Sequence, residues 1–180
     1  MKLLLDTQLL LWAAGQPDRL SVEAREAIEN VHNELMFSSA SLWEVAIKSM
    51  LGRPDFRVDA RVLRRSLLEN GYGELAIAGD HAVAVLNLPP LHRDPFDRML
   101  VAQATVEGVL LLTADALVAQ YPGPIRRAYA SARGAHTNAA HERMTADVKT
   151  QVSCGRHSLL FSDAIVISNW YRSKQSFCVN

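Results

Sequence analysis

The sequence predicts an α/β fold with a mostly parallel sheet that helices cover on both faces. Short continuous apolar runs, such as KLLL (2–5) and VLLLT (109–113), have the length and composition of buried strands. Longer helical patterns that end at glycine or proline separate these runs. Buried strands that alternate with helices are typical of parallel sheets, because each crossover connection lays a helix on one face of the sheet.

The elements follow one another in a regular order. Strands are predicted at 2–5, 34–38, 74–78 and 109–113, where apolar residues follow one another almost without interruption. Helices are predicted at 7–15, 21–31, 41–52, 59–71, 79–88 and 95–107, with a further helical turn at 115–121. Ser21 is placed to cap its helix, and Gly52, followed by Pro54, is placed to end the helix before it.

Length and charge limit the function classes. The 180 residues suit one domain with an appendage, and 19 basic residues balance 19 acidic ones, so no strong basic field is available to hold nucleic acid. No run approaches the roughly 18 apolar residues of a membrane span. Asp6 interrupts the apolar start, which we interpret as a strand and a helix rather than a targeting segment. The two cysteines form no framework, and a cytoplasmic location is expected.

The last part of the chain differs in composition. All seven prolines lie at or before Pro124, and the chain from residue 129 onward is rich in Ser, Ala, Thr, His and Asn. Residues 1–128 hold 13 basic and 16 acidic residues, whereas residues 129–180 hold 6 and 3. We therefore expect one folded domain at 1–128 and a C-terminal extension of unknown role at 129–180, disordered in part.

The segment HRDPFDR (92–98) places four charges at the start of a predicted helix. Asp94 followed by Pro95 is a good helix start, because aspartate caps and proline suits the first helical position. Asp97 at the third helical position favours the positive end of the helix dipole. Capping alone could therefore explain both aspartates.

Carboxylates also follow the other predicted strands. Asp6 comes directly after the first strand, and Asp115 follows the fourth with one residue between; Glu44 and Asp97 lie one turn into their helices. Such positions gather at the carboxyl edge of a parallel sheet, where ligands bind. Four acids there would repel one another unless cations held them, and oxygen ligands suit Mg²⁺ or Mn²⁺. The set therefore favours a metal site.

Each acid keeps a simpler explanation. Glu44 could form a capping box with Ser41, and Asp115 could cap the turn that follows it. Asp6 is harder to explain, because a carboxylate so close to the core needs a partner or a metal.

Four blocks carry a resemblance: LLLDTQLLLWA, SSASLWEVAIK, LPPLHRDPFDRMLVAQA and LLLTADALVAQYP. Together they resemble the PIN domain, specifically the VapC-type toxins of bacterial toxin–antitoxin pairs, over residues 1 to about 128. The resemblance implies a three-layer α/β/α fold, an Mg²⁺- or Mn²⁺-dependent endoribonuclease, a homodimer and an inhibitory antitoxin. It matches Asp6, Glu44, Asp97 and Asp115 to the family's acidic quartet of catalytic metal ligands.

Other residues have supporting places in the same blocks. Thr7 and Thr113 match small hydroxyl positions beside the quartet, and Asp94 belongs to the DPFD block. Gln8 stands where many relatives have histidine. Arg93 and Arg98 are candidates for holding the RNA backbone, with surface ion pairing as the alternative.

Competing functions are distinguishable. A haloacid-dehalogenase-like phosphatase needs an aspartate where Gln8 stands. A non-catalytic RNA- or protein-binding module would hold RNA without cutting it. A zinc module in the extension would use the set His136, His141, Cys154 and His157. The apolar helical runs 9–12 and 42–50 are candidate antitoxin surfaces, with Trp12 and Trp43 expected in the core.

Overall fold

Seven strands are present in the part of the chain that the structure describes. This computed structural model describes residues 1–52, 54, 56–128 and, as backbone only, 165–167. The strands are β1 (Lys2–Leu5), β2 (Glu34–Ser38), β3 (Phe56–Val58), β4 (Gly73–Leu75), β5 (Leu110–Thr113), β6 (Ile125–Arg127) and β7 (Ile165–Ile167). Five of them form one parallel sheet in the order β4-β2-β1-β5-β6. The chain therefore adds β2 and β4 on one side of β1 and then crosses back to add β5 and β6 on the other side.

Six α-helices connect the strands: α1 (Thr7–Gly15), α2 (Val22–Glu29), α3 (Ser39–Met50), α4 (Ala60–Glu69), α5 (Gly79–Ala84) and α6 (Pro95–Glu107). Three 3₁₀ turns lie at Pro17–Arg19, Val85–Asn87 and Val118–Gln120. The predicted helix at 79–88 is thus divided into α5 and a 3₁₀ turn, and the predicted turn at 115–121 is a 3₁₀ turn.

The sheet separates two hydrophobic cores. Leu3 and Leu5 of β1 point into the core that α1, α2, α3 and α4 cover, while Leu4 points into the core beneath α6. Successive side chains of a strand face opposite sides of a sheet, so an uninterrupted apolar run is what a strand with two covered faces needs. The predicted three-layer α/β/α, PIN-like architecture with a parallel central sheet is confirmed.

Three of the described strands were not predicted: β3, β6 and β7. The segments FRV (β3) and IRR (β6) are only three residues long and contain arginine, so no apolar run marks them. β6 pairs with β5 at the edge of the sheet, where arginine side chains can reach solvent. The predicted strand at 74–78 is shorter, ending at Leu75.

The predicted helix caps have mixed outcomes. Ser21 caps α2 by accepting the N–H of Ala24, and Asp94 caps α6 with Pro95 at its first position, as predicted. The predicted capping box of Ser41 with Glu44 is wrong. α3 begins two residues earlier, because Ser38 at the end of β2 already accepts the N–H of Ala40.

The predicted boundary near residue 128 stays a prediction. The Oγ of Ser21 donates to the carbonyl of Ala128, which fixes the chain against the start of α2 at that point. Beyond it, β7 pairs antiparallel with β3 in a separate two-stranded sheet. The four residues of the zinc-module hypothesis lie outside the described residues. Within the described residues, no helix is long and apolar enough to cross a membrane.

Candidate active site

Asp6 is buried at the carboxyl end of the central strand. Its Oδ1 accepts the N–H of Leu9 at 2.6 Å and so caps α1. Its Oδ2 accepts the hydroxyl of Thr113 at 2.6 Å and the N–H of Ala114 at 2.9 Å. Three protein donors therefore satisfy a carboxylate whose burial would otherwise be costly. Sequence reasoning missed this capping role, which already gives Asp6 the partners that burial demands.

Thr113 connects Asp6 with Asp115. The Thr113 hydroxyl donates to Asp6 and accepts the backbone N–H of Asp115 at 3.0 Å. Asp115 Oδ1 then accepts the N–H groups of Leu117 at 2.7 Å and Val118 at 3.2 Å. Asp115 thus caps the turn that follows it, as one prediction held, while its other oxygen, Oδ2, faces His92.

His92 lies between Asp97 and Asp115. Its Nδ1 is 3.5 Å from Asp97 Oδ2, and its Nε2 is 3.8 Å from Asp115 Oδ2. Nδ1 also accepts the backbone N–H of Asp94 at 3.1 Å. A nitrogen that accepts a hydrogen bond carries no proton, so this bond assigns the proton of the neutral ring to Nε2, on the side of Asp115.

Glu44 is buried one turn into α3, with its side chain 2% exposed. The ammonium of Lys48, four residues on, donates to Glu44 Oε1. An opposite charge at this spacing on a helix compensates a carboxylate that has lost its water. Lys48 therefore stabilises Glu44 and occupies one of its oxygens.

Polar contacts join the starts of α1 and α3 to each other and the end of β2 to the body of α6. Thr7 Oγ1 donates to Ser41 Oγ at 3.0 Å, which joins the first turns of α1 and α3. Ser38 Oγ donates to Gln103 Oε1 at 2.6 Å, which joins the end of β2 to α6. Gln8 is buried, and its Nε2 has no hydrogen-bond partner among the described residues.

The four predicted acids therefore share one edge of the sheet and differ in their partners. Asp97 and Asp115 come together around His92: one ligand atom from each of the three residues lies within 4.8 Å of the others. Asp6 is joined to Asp115 through Thr113, and Glu44 is engaged by Lys48. The sequence analysis gave His92 no role. Its position in the segment HRDPFDR, which also contains Asp94 and Asp97, could have indicated one.

The carboxylate oxygens of Asp97 and Asp115 form a donor set that a divalent cation accepts, whereas His92 has its Nδ1 occupied by the N–H of Asp94. Carboxylates suit Mg²⁺ and Mn²⁺, and imidazole nitrogen is also a common ligand of transition metals. Asp115 Oδ2 is the oxygen that the capping bonds leave to the site. The residues present therefore fit a divalent cation, with the two carboxylates as the ligands that need no change of protonation.

The arginines of HRDPFDR have different surroundings. Arg98 donates to the carbonyls of Pro89, Val85 and Leu88 and to the hydroxyl of Tyr121, at 2.9 to 3.3 Å. These four acceptors are neutral oxygens, so Arg98 fastens the segment before α6 to the protein, which neither prediction for it foresaw. Arg93 is exposed beside the site.

Two expectations about apolar surfaces are wrong. The run Leu9–Trp12 is fully buried in the core and offers no face to a partner. Trp43, expected in the core, has 60% of its surface exposed, because the buried face of α3 is the one that carries Ser41, Glu44 and Val45.

Comparisons with known proteins identify the family of this chain. The family model of the PIN domain matches residues 3–123. Ribonuclease VapC22 of Mycobacterium tuberculosis is 30% identical over 113 residues, which are 62% of this chain and 85% of that protein. The structure of VapBC2 from Rickettsia felis bound to a DNA fragment from its promoter is similar in fold, with a TM-score of 0.54 and 13% identity over 71% of this chain and 98% of that one. A toxin–antitoxin complex from Klebsiella pneumoniae matches with a TM-score of 0.48 and 19% identity over 71% of this chain and 98% of that one. The family match spans more than half of the chain, and the chain belongs to the PIN domain family.

Proposed function

We propose that this chain is a metal-dependent endoribonuclease that hydrolyses RNA phosphodiester bonds and acts as the toxin of a toxin–antitoxin pair. The observation that carries the proposal is the convergence of Asp97 and Asp115 on His92, with Asp6 joined to Asp115 through Thr113 and Glu44 buried near the start of α3. Membership in the PIN domain family and the similarity to a named ribonuclease support it.

In this proposal, Asp97 and Asp115 hold Mg²⁺ or Mn²⁺ directly, and Asp6 and Glu44 complete the acidic site. A carboxylate has about four lone-pair positions, so Asp6 keeps one position after its three protein bonds. When bound, such a cation polarises the phosphorus and lowers the pKa of a bound water. The cation would also offset the negative charge of the acids. Without it, this charge would repel the phosphate groups of RNA.

The protein residues supply orientation and proton transfer. Two backbone N–H groups hold Asp115 Oδ1, so its Oδ2 keeps a fixed direction into the site. Asp97 or Asp115 orients the attacking water and takes its proton. His92 Nε2 lies 3.8 Å from Asp115 Oδ2 and restrains this carboxylate as a close polar neighbour. Arg93 remains the candidate for holding the RNA backbone, since the donors of Arg98 serve the protein itself.

The proposal includes two protein partners. A similar solved structure is VapBC2 from Rickettsia felis, and the resemblance to VapC-type toxins implies an antitoxin, so we propose a cognate antitoxin, with the exposed end of the 42–50 run at Met50 as its candidate surface. We also propose a homodimer, which would cover exposed apolar side chains such as Val83 and Leu86. An RNA substrate and an antitoxin of this kind imply a cytoplasmic location. Light scattering of the chain without antitoxin tests the dimer, and a purely monomeric particle contradicts it.

The alternative is a non-catalytic PIN-like module that binds RNA or protein. The experiment that separates the two uses the purified, antitoxin-free chain with labelled single-stranded RNA. A nuclease produces discrete fragments with Mg²⁺ or Mn²⁺ and none with excess EDTA. A binding module shifts the RNA in a gel and leaves it intact under both conditions.

A further inference from the structure

An exposed tryptophan stands beside the acidic site. Trp43 has 60% of its surface exposed, whereas its neighbour in sequence, Glu44, is buried. A tryptophan side chain has roughly 250 Å² of surface, so about 150 Å² of it faces solvent. So large an exposed aromatic surface next to a polar site indicates a ligand.

Phe96 holds this tryptophan in place. The rings of Trp43 and Phe96 meet edge to face, with centroids 5.2 Å apart and planes at 79°. Phe96 itself lies in the first turn of α6, where its N–H donates to Asp94. A ring that is already oriented loses little conformational entropy when a ligand stacks on it.

The position of the pair points to a nucleotide. Trp43 directly precedes Glu44 on α3, and Phe96 directly precedes Asp97 on α6, so the aromatic pair lies where the helix segments that carry these two acids meet, with the Trp43 ring facing outward. Every base has a π-face, and unpaired RNA bases commonly stack on aromatic side chains.

The charge balance of the domain favours a contact that needs no basic residue. Residues 1–128 hold 16 acidic and 13 basic residues, and four of the acids belong to the proposed site. Nucleic-acid affinity usually depends on basic groups that displace counterions from phosphates, and this domain has a small supply of them. Stacking contributes affinity without charge.

A protein partner fits the pair less well. Met50 and Leu51, the other exposed apolar residues of this helix region, lie about 10 Å further along the helix axis. About 150 Å² is far below the roughly 800 Å² that each partner buries in a stable protein interface.

We propose that Trp43 and Phe96 form a stacking subsite for one unpaired base of single-stranded RNA, next to the scissile phosphate. The subsite rests on the proposed nuclease function for its position. It makes the aromatic pair, rather than a basic groove, the element that orients RNA across the acidic site.

The test measures RNA binding by the full chain that carries Asp97→Asn, so that cleavage does not interfere. A dye-labelled single-stranded RNA is titrated and followed by anisotropy and by quenching of tryptophan emission. Trp43→Leu is expected to weaken binding about tenfold or more, since one base stack contributes 1–3 kcal/mol by substitution. Trp43→Phe keeps an aromatic face and is expected to bind within about threefold. With Trp170→Phe introduced in every protein of the series, Trp43→Phe should also lose the quenching, because the remaining Trp12 is buried.

Two controls make the result specific. Met50→Ala removes an apolar group with 86% exposure from the same helix and is expected to leave RNA binding unchanged. A single abasic nucleotide is placed at each position of the RNA in turn. We expect one of these positions to weaken binding to the parent chain, which keeps Trp43. Trp43→Leu should bind that abasic RNA no more weakly than it binds the intact RNA.

The outcomes separate this proposal from the nuclease proposal. Equal RNA binding by Trp43→Leu and its parent overturns the subsite, even if the wild-type chain cleaves RNA with metal. Loss of the dimer in Trp43→Leu, seen by light scattering, also overturns it and assigns the pair to a protein interface. Trp43-dependent binding by a wild-type chain that never cleaves RNA supports the subsite and overturns the nuclease proposal alone.

Discussion

The hydroxyl of Thr113 donates a 2.6 Å hydrogen bond to Asp6 Oδ2 across the carboxyl ends of two paired strands. The same hydroxyl accepts the backbone N–H of Asp115, so it fixes the position of Asp115 relative to Asp6. The spacing of Asp6 and Asp115 is therefore determined by the pairing of β1 with β5.

Replacing Thr113 should disturb both acids. Thr113→Val keeps the shape but removes the hydroxyl, so a buried carboxylate oxygen loses a donor and the N–H of Asp115 loses its acceptor. We expect unfolding free energy to fall by about 1–3 kcal/mol, measured by urea denaturation. Thr113→Ser retains the hydroxyl and should recover most of the loss; equal stability of the valine and wild-type proteins would show that the bond contributes nothing.

Lys48 should compete with metal for Glu44. Lys48→Met leaves a buried carboxylate without its cation, so we expect the metal-free protein to be less stable by about 1–3 kcal/mol. Added Mn²⁺ should then raise the melting temperature more than it does in the wild type, because Glu44 is open to the ion. The double variant with Glu44→Gln is the control and should lose that extra response. A Mn²⁺ response unchanged by Lys48→Met would place Glu44 outside the metal site.

His92 should affect metal affinity through Asp115. Its Nε2 faces Asp115 Oδ2, so His92→Leu removes the group that steadies a proposed ligand. We expect the affinity for Mn²⁺ to fall about 10- to 100-fold, measured by the loss of the electron paramagnetic resonance signal of free Mn²⁺. His92→Gln, whose amide can donate from a similar position, should recover part of this. Unchanged affinity in both variants would assign His92 only to the loop before α6.

Tyr72 should make the protein sensitive to alkali. Burial raises the pKa of its phenol from an ordinary value of 10.0 to about 12. The folded state therefore keeps this proton where the unfolded chain loses it, so stability is complete below pH 10 and declines between pH 10 and 12. From about pH 9 to about pH 11, the wild type should lose on the order of 1 kcal/mol more than Tyr72→Phe in urea denaturation. Parallel losses in the two proteins would mean that Tyr72 ionises normally.

The sequence predicted best those elements that a single periodicity governs. The strands β1, β2 and β5 are largely apolar runs. A strand whose two faces are both covered needs apolar residues at successive positions, because these face opposite sides of the sheet. β3 and β6 are short and contain arginine, so their pairing depends on neighbours that lie far away in the chain. The wrong expectation for Trp43 has a functional cause: α3 turns polar Ser41 and Glu44 inward toward the site, and the tryptophan outward.

The acids were predictable as a set, whereas their partners were not. Positions after strands indicated one shared edge for the four acids. The donor to Asp6 comes from Thr113, and the imidazole beside Asp97 and Asp115 comes from a loop without periodic pattern. Contacts of this kind depend on side-chain directions that spacing alone does not determine.

The most direct test compares RNA cleavage by Asp97→Asn and Asp94→Asn with the wild type, at matched Mn²⁺ and protein concentrations. Asp94 caps α6, and asparagine also caps well, so Asp94→Asn should keep near-normal stability and lose at most a modest part of the rate. Asp97→Asn should reduce cleavage by several orders of magnitude and shrink the stabilisation that Mn²⁺ provides. Cleavage by Asp97→Asn at the wild-type rate, with an unchanged response to Mn²⁺, would contradict the account, and Asp97 would then serve only the start of α6.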